Sequence, residues 1–309
     1  MSAHSSILPV YRRSNITIVR GEGMYLFAAD GKRYLDFASG IAVNALGHCH
    51  PHVTQALKNQ ADMLWHCSNM YQMPGLSRLA ERLTAACFAD RAFFCNSGSE
   101  AVECGLKMIR KYHHALGTGR TRIITFEGGF HGRTYGGISA GGNASARAGF
   151  GQLLTGFDRV PFNDIAAVEA VVTKNTAGIL IEPIQGEGGV VAADLDFLRQ
   201  LRALCDAEGI LLMCDEVQCG YGRPGTLFAF ERAGITPDIA SSAKGIGGGF
   251  PLGATLLTER VAQVLPAGSH GGTYNNNPLA MAVGNVERAL APLFNDLAGV
   301  PQDDVEAGD

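Results

Sequence analysis

The chain has 309 residues, 46% hydrophobic and 17% charged, with a formal net charge of −4 at pH 7. That length allows a large buried core in one or two domains. The slightly acidic balance carries no basic stripe, which argues against a nucleic-acid partner. No apolar run approaches the ~18 residues of a membrane span.

The first twenty residues carry Arg12, Arg13 and Arg20 but no apolar stretch long enough for a secretion signal. The eight cysteines form no CxxC pair, and several lie in apolar runs such as Leu211-Leu212-Met213-Cys214. Reduced, buried thiols in a cytoplasmic protein are therefore expected rather than a disulfide framework.

In chain order, residues 1–15 read as an irregular arm. Three short apolar runs follow at 16–20, 24–27 and 34–37, separated by Gly21-Glu22-Gly23 and Asp30-Gly31. This pattern predicts a small antiparallel meander. His48, His50 and His52 stand at alternate positions, but Pro51 marks a helix start and acidic partners are not near in sequence. A structural loop is the expectation there, not a metal site. Val53, Leu57, Ala61 and Leu64, then Leu76, Leu79 and Leu83, recur at helical spacing. Ala92–Cys95 reads as a strand ending at Asn96-Ser97-Gly98-Ser99, with a helix over about 99–115. A strand, a small polar turn and a helix start can bring backbone N–H groups to a phosphate, although such a serine is also a common N-cap.

Strands and helices then alternate. Arg122–Phe126 leads to Glu127–Thr134, and Gly178–Glu182 leads to Pro183–Gly189. A helix at about 194–207 stops near Gly209, and Ile210–Cys214 ends at Asp215-Glu216-Val217-Gln218. Continuous apolar strands with helical crossovers predict an α/β fold with a mainly parallel sheet covered on both faces. In such sheets the ligand crevice lies at the carboxyl ends of the strands.

Of six lysines, only Lys244 follows a strand-like run (Asp238–Ser242) and precedes a glycine run, Gly245-Ile246-Gly247-Gly248-Gly249. That setting leaves room for a bulky ligand, and partial burial would make the amine more nucleophilic. The alternative is a loop lysine whose glycines serve only the turn. Gly98/Ser99, Phe130/Arg133, Glu182/Glu187, Asp215/Gln218 and Lys244 all fall at or just past strand ends. A phosphate cradle, an aromatic plate, a carboxylate, an amide and a lysine together fit pyridoxal 5′-phosphate. The sequence has no Walker A motif, so nucleotide binding carries less weight.

With those residues in place, the chain resembles the class III, ornithine-type aminotransferases from about residue 7 to about 290. The resemblance rests on Ser39–Asn44 with Gly47-His48, Asn96–Ala101, Phe130–Thr134, Glu182–Gly188, Asp215–Gly222, Lys244 and His270–Ala280. It implies fold-type I architecture, with a seven-stranded-type sheet and a small N-terminal meander. It also implies a homodimer with shared sites, acting on a small amino donor and a 2-oxo acid.

The resemblance makes Lys244 the covalent and proton-moving residue and Asp215 the partner of the cofactor's ring nitrogen. Phe130 and Val217 would flank the ring, and Gln218 would reach its phenolic oxygen, with Glu216 counted among the cofactor contacts. Gly98 and Ser99 would hold the phosphate, with Thr273 from the partner subunit. Arg133, Glu187 and Gly272 would face substrate. The bland alternatives are a surface ion pair for Arg133 and core packing for Phe130 and Val217. A lone buried carboxylate at Asp215 would be costly without a partner.

The implied reaction moves a δ-amino group from N-acetylornithine to 2-oxoglutarate. Ornithine, succinylornithine and 4-aminobutyrate are rival donors, and a non-catalytic cofactor-binding remnant is the reading of another class. Gly272 and Asn275-Asn276 depart from the family pattern, and the match stops after Asn285-Val286-Glu287. The expected division is an arm and small-domain segment at 1–50, a large cofactor-binding unit at 51–285 and a divergent acidic tail at 286–309. Most of a C-terminal small domain, with the second arginine that it supplies in relatives, is expected to be absent.

Overall fold

A computed structural model describes residues 6–290. The acidic end of the chain, 303–309, lies outside the described residues. The N-terminal meander forms as the alternating runs predict. β1 (Ile18–Glu22), β2 (Tyr25–Ala28) and β3 (Arg33–Leu35) make an antiparallel sheet in that order. Asp30 closes the second turn by accepting the Lys32 N–H at 3.1 Å. A four-residue turn, α1 (Ser39–Ala42), whose residues all have positive φ, leads to the histidine-rich loop. There the His48 ring meets the Asp36 carboxylate at 2.7 Å, while the His50 and His52 rings sit edge to face. His48 therefore fastens the loop to the meander.

α2 (Pro51–Ala61) and α3 (Pro74–Thr84) each begin with proline. Proline's missing N–H costs nothing at a first helical position. Leu79 and Leu83 of α3, one helical turn apart, are fully buried.

The large sheet follows, with its connecting helices. In chain order these are β4 (Arg91–Cys95), α4 (Gly98–Ala115), β5 (Arg122–Phe126), α5 (Tyr135–Ala140), α6 (Ala144–Arg147), β6 (Phe157–Val160), α7 (Ile165–Val171) and β7 (Thr176–Ile181). A short hairpin of β8 (Ile184–Gln185) and β9 (Val191–Ala192) precedes α8 (Leu195–Glu208), β10 (Leu211–Asp215) and β11 (Ile239–Ser242). β12 (Gly253–Leu257), α9 (Glu259–Ala262) and α10 (Pro278–Leu290) complete the described chain.

The sheet has seven strands in the order β4-β12-β11-β10-β7-β5-β6. Its pairings are parallel from β11 to β6, whereas β12 runs antiparallel to both β11 and β4. Both faces are covered, so central strands are apolar at successive positions. Leu211 and Met213 join Ile109, Leu180 and Ile239 in one cluster. Leu212 and Cys214 join Ile179, Ile181 and Leu198 in the other. That alternation is the two-residue period of a strand expressed as two cores. Each such buried Leu or Ile contributes roughly 1.5–3 kcal/mol.

α8 ends at Gly209, in left-handed conformation at φ 63°, the stop signalled by glycine after a helical run. α10 continues through residue 286, so the boundary expected there falls inside a helix. No disulfide joins the eight cysteines; Cys95, Cys104, Cys205, Cys214 and Cys219 are buried. Cys49 is exposed, and Cys67 and Cys87 are half-buried, so burial does not extend to all eight. Among the described residues, no helix is long and apolar enough to cross a membrane.

Candidate active site

Three adjacent central strands deliver their next residues to one edge of the sheet. β7 ends before Glu182, β10 ends on Asp215, and β11 ends two residues before Lys244. β12 runs the other way, so Leu252, the residue before its start, reaches the same edge. Together they line a cavity of about 360 Å³, within the size range of small-ligand sites. Gly98, Ser99, Phe130, Asp215, Val217, Gln218 and Lys244 all line it. Arg133, Glu187, Glu216, Gly272 and Thr273 do not.

The α4 end of the cavity is built by a reciprocal cap. Ser97 Oγ pairs with the Glu100 N–H at 3.3 Å and donates to the Glu100 carboxylate at 2.8 Å. That carboxylate also accepts the Asn96 N–H at 3.0 Å. The cap takes the third helical N–H and leaves those of Gly98 and Ser99 without an acceptor inside the helix. These two N–H groups, with the positive end of the helix dipole, suit a phosphate. Glycine is needed at the first of them, because a Cβ on Gly98 would lie 2.5 Å from Val217 Cγ1.

Asp215 is held from three sides. Its Oδ1 accepts the Val217 N–H at 3.1 Å and the Ser241 hydroxyl at 3.0 Å, and its Oδ2 meets His131 Nδ1 at 2.8 Å. Asp215 and His131 are each 3% exposed. Burial alone would depress the His131 pKa, but the hydrogen bond and charge of Asp215, with the charge of Glu182, raise it above its ordinary 6.5. The pairing answers the cost of burying a lone carboxylate. His131 follows the predicted plate residue Phe130, and its role was not legible in the sequence. Its partner lies 84 residues away, and only its place in Gly-Phe-His-Gly-Arg marks it.

Lys244 is half-buried and adopts φ +53°, an uncommon backbone for a residue with a side chain. Burial lowers its ammonium pKa more than Glu187, Asp215 and Glu182 raise it. The amine thus loses its proton more readily than a surface lysine would.

The remaining predicted residues lie outside the cavity lining. The Arg133 guanidinium lies 5.3 Å from the Phe130 ring centroid, on an exposed side chain. Glu187 is exposed and accepts from Gln218 Nε2 at 3.4 Å. The Glu216 carboxylate turns into the core, accepting from the Phe230 N–H at 3.0 Å and the Cys219 thiol at 3.1 Å. Gly272 and Thr273 are exposed, with the Gly272 carbonyl held by Asn69 Nδ2 at 3.2 Å. Phe250 and Leu252, which sequence reasoning passed over, add apolar wall.

The donor set fits pyridoxal phosphate. Free N–H groups at a helix start, a buried carboxylate and a lysine with a lowered pKa share one cavity, and Phe130 and Val217 line it too.

The class-III aminotransferase family model matches residues 9–290. The chain is 55% identical over 284 residues to an acetylornithine aminotransferase of Agrobacterium fabrum, covering 92% of this chain and 71% of that one. The ornithine aminotransferase of Toxoplasma gondii superposes with a TM-score of 0.90 at 31% identity, covering 95% of this chain and 70% of that chain. An amine transaminase from an uncultivated Pseudomonas species, solved in its PLP-bound form, gives 0.89 at 33% identity, over 97% and 77% of the two chains. The chain belongs to the class-III aminotransferases.

Proposed function

We propose that the chain is a pyridoxal phosphate-dependent aminotransferase that moves the δ-amino group of N-acetylornithine to 2-oxoglutarate. The observation that carries this reading is the convergence of Lys244, Asp215 and the α4 start on one cavity. Identity of 55% to an acetylornithine aminotransferase favours that donor over ornithine, succinylornithine or 4-aminobutyrate.

Pyridoxal phosphate supplies a carbonyl that captures the amine and a ring that takes up electron density as a proton leaves. The chain's own residues do the rest. Lys244 Nζ would take the proton from the substrate carbon that bears the amino group and hand it to the cofactor carbon that captured the amine. Asp215, fixed by Ser241, Val217 and His131, keeps a proton on the ring nitrogen. The Gly98 and Ser99 N–H groups would hold the phosphate, and Phe130 and Val217, which line the cavity, would flank the ring. Glu216, beside Asp215, serves these contacts through the turn it anchors. Gln218, tethered to Glu187, would reach the ring's phenolic oxygen. Phe250, Leu252 and Val102 exclude water from that wall.

Arg133 at the mouth takes a substrate carboxylate, for which its planar fork is suited. Glu187 and Gly272 complete the substrate side. Thr273 reaches the phosphate of a second copy in a homodimer. This is supported by its exposure away from its own cavity, beside Tyr274, 67% exposed. The reading places the enzyme in the cytoplasm, with the cavity formed mostly by a cofactor-binding unit spanning 51–285.

The test is glutamate formation by the cofactor-loaded protein, with N-acetylornithine compared against the three rival donors at equal concentration. The highest kcat/KM for N-acetylornithine supports the reading. Cofactor binding without turnover of any donor favours the binding-only alternative.

A further inference from the structure

Glu182 is 6% exposed, lines the cavity, and makes no ion pair within 4 Å among the described residues. Its Oε2 accepts the Phe130 N–H at 2.8 Å and its Oε1 accepts the Gly186 N–H at 3.4 Å. These donors belong to different loops. One follows β5 and carries the ring-facing Phe130, then His131 and Arg133. The other follows β8 and carries Glu187, which holds Gln218. One buried carboxylate in the cavity lining therefore ties the loop after β5 to the loop after β8.

We infer that Glu182 is a positioning residue that clasps the Phe130 loop to the Gly186 loop, and that the clasp depends on its negative charge. The inference rests on the aminotransferase reading for its consequence in catalysis, but the clasp itself is a property of the protein alone. An ionised carboxylate accepts N–H groups more strongly than the neutral acid does. Three titratable groups face it: His131 from the β5 loop, Asp215 at the end of β10 and Lys244 after β11. Burial raises the Glu182 pKa to about 7; Asp215 adds to the rise, while His131 and the two N–H groups oppose it. The carboxylate thus changes charge near neutral pH, and the clasp tightens as pH rises.

The experiment is amide hydrogen exchange, read by mass spectrometry on peptides covering 127–134 and 184–190, in the cofactor-free full chain. Rates are corrected for the intrinsic pH dependence of exchange. In wild type, both peptides should exchange about tenfold faster at pH 6 than at pH 8, the size of one charged hydrogen bond. In Glu182→Gln, which keeps the shape but not the charge, both should exchange fast at both pH values. Peptides from β10 and α4 should be unchanged in both proteins.

In cofactor titrations followed by absorbance, the same variant should bind about tenfold more weakly. Its kcat should fall more than its KM rises, because the ring and its plate are misaligned. Protection that is independent of pH in wild type would overturn the inference. So would a Glu182→Gln variant with both loops still protected. If Glu182→Gln destabilises the whole fold, the wild-type pH comparison decides alone. If wild type shows the pH-dependent clasp but binds no pyridoxal phosphate, the aminotransferase reading fails and the clasp stands.

Discussion

Replacing Gly98 with alanine tests how closely the α4 start, proposed as the phosphate cradle, is fitted against Val217. A methyl on Gly98 would sit 2.5 Å from Val217 Cγ1 and 3.0 Å from Cγ2. Carbon atoms pack best at about 3.5–4.0 Å, so the overlap is about 1 Å at the nearer atom. Val217 has little freedom to retreat. Its side chain is β-branched and stiff at χ1, and its N–H is bound to Asp215 at 3.1 Å. Overpacking of this kind costs about 1–3 kcal/mol. Part of the strain should pass to Asp215 and weaken cofactor binding by about tenfold for every 1.4 kcal/mol.

Val217→Ala deletes both atoms that clash, so the pair can be read as a cycle. The assay is denaturant unfolding together with an absorbance titration of pyridoxal phosphate on Gly98→Ala, Val217→Ala and the double variant. The double variant should recover about 1–2 kcal/mol relative to the sum of the single effects. Additive losses would refute the claim that the glycine is there to admit Val217.

Other expectations follow from the same contacts. Ser241→Ala removes one of the two donors to Asp215 Oδ1 and should weaken cofactor binding by about tenfold; unchanged affinity would show that Val217 and His131 suffice. Ser97→Ala deletes the α4 cap and should cost about 1 kcal/mol in urea unfolding. Glu216 is buried, and burial, with the charge of Asp215, pushes its carboxyl up to about 7 against the Ala229, Cys219 and Phe230 contacts that lower it. Between its ordinary 4.5 and that value the folded chain holds a proton that the unfolded chain has released. Its stabilising contribution is therefore complete below about pH 4.5 and lost as pH rises through 7, a change of about 3 kcal/mol. Glu216→Gln should flatten that part of the stability profile, and an unaltered slope would assign it elsewhere.

Much of this architecture was legible because its signals are local. Runs such as Leu211–Cys214 declare strands covered on both faces, and the residue that ends each run falls at the sheet edge where ligands bind. Lys244 could be singled out because it sits between a strand and glycines, unlike the other five lysines. What escaped was set by pairing between distant segments. β12 begins with the small residues Gly253-Ala254-Thr255, and nothing local tells that it runs antiparallel to both neighbours. α5 is short, buried and glycine-containing, so it lacks an amphipathic pattern. The roles of His131 and Glu182 depend on which strand ends meet in space. Glu216 reads like Asp215 from sequence, since both follow the same apolar run. Only the structure shows the second carboxylate turning to Phe230 and Cys219 instead of into the cavity.

The central claim is that Lys244 is the residue that takes pyridoxal phosphate covalently. The direct measurement is borohydride reduction of the cofactor-loaded protein, followed by peptide mass mapping of all six lysines. The account predicts a single reduced cofactor adduct, on Lys244, and none in Lys244→Ala. An adduct on Lys32, Lys58, Lys107, Lys111 or Lys174 in preference to Lys244, or no adduct in a folded wild-type chain, would contradict it.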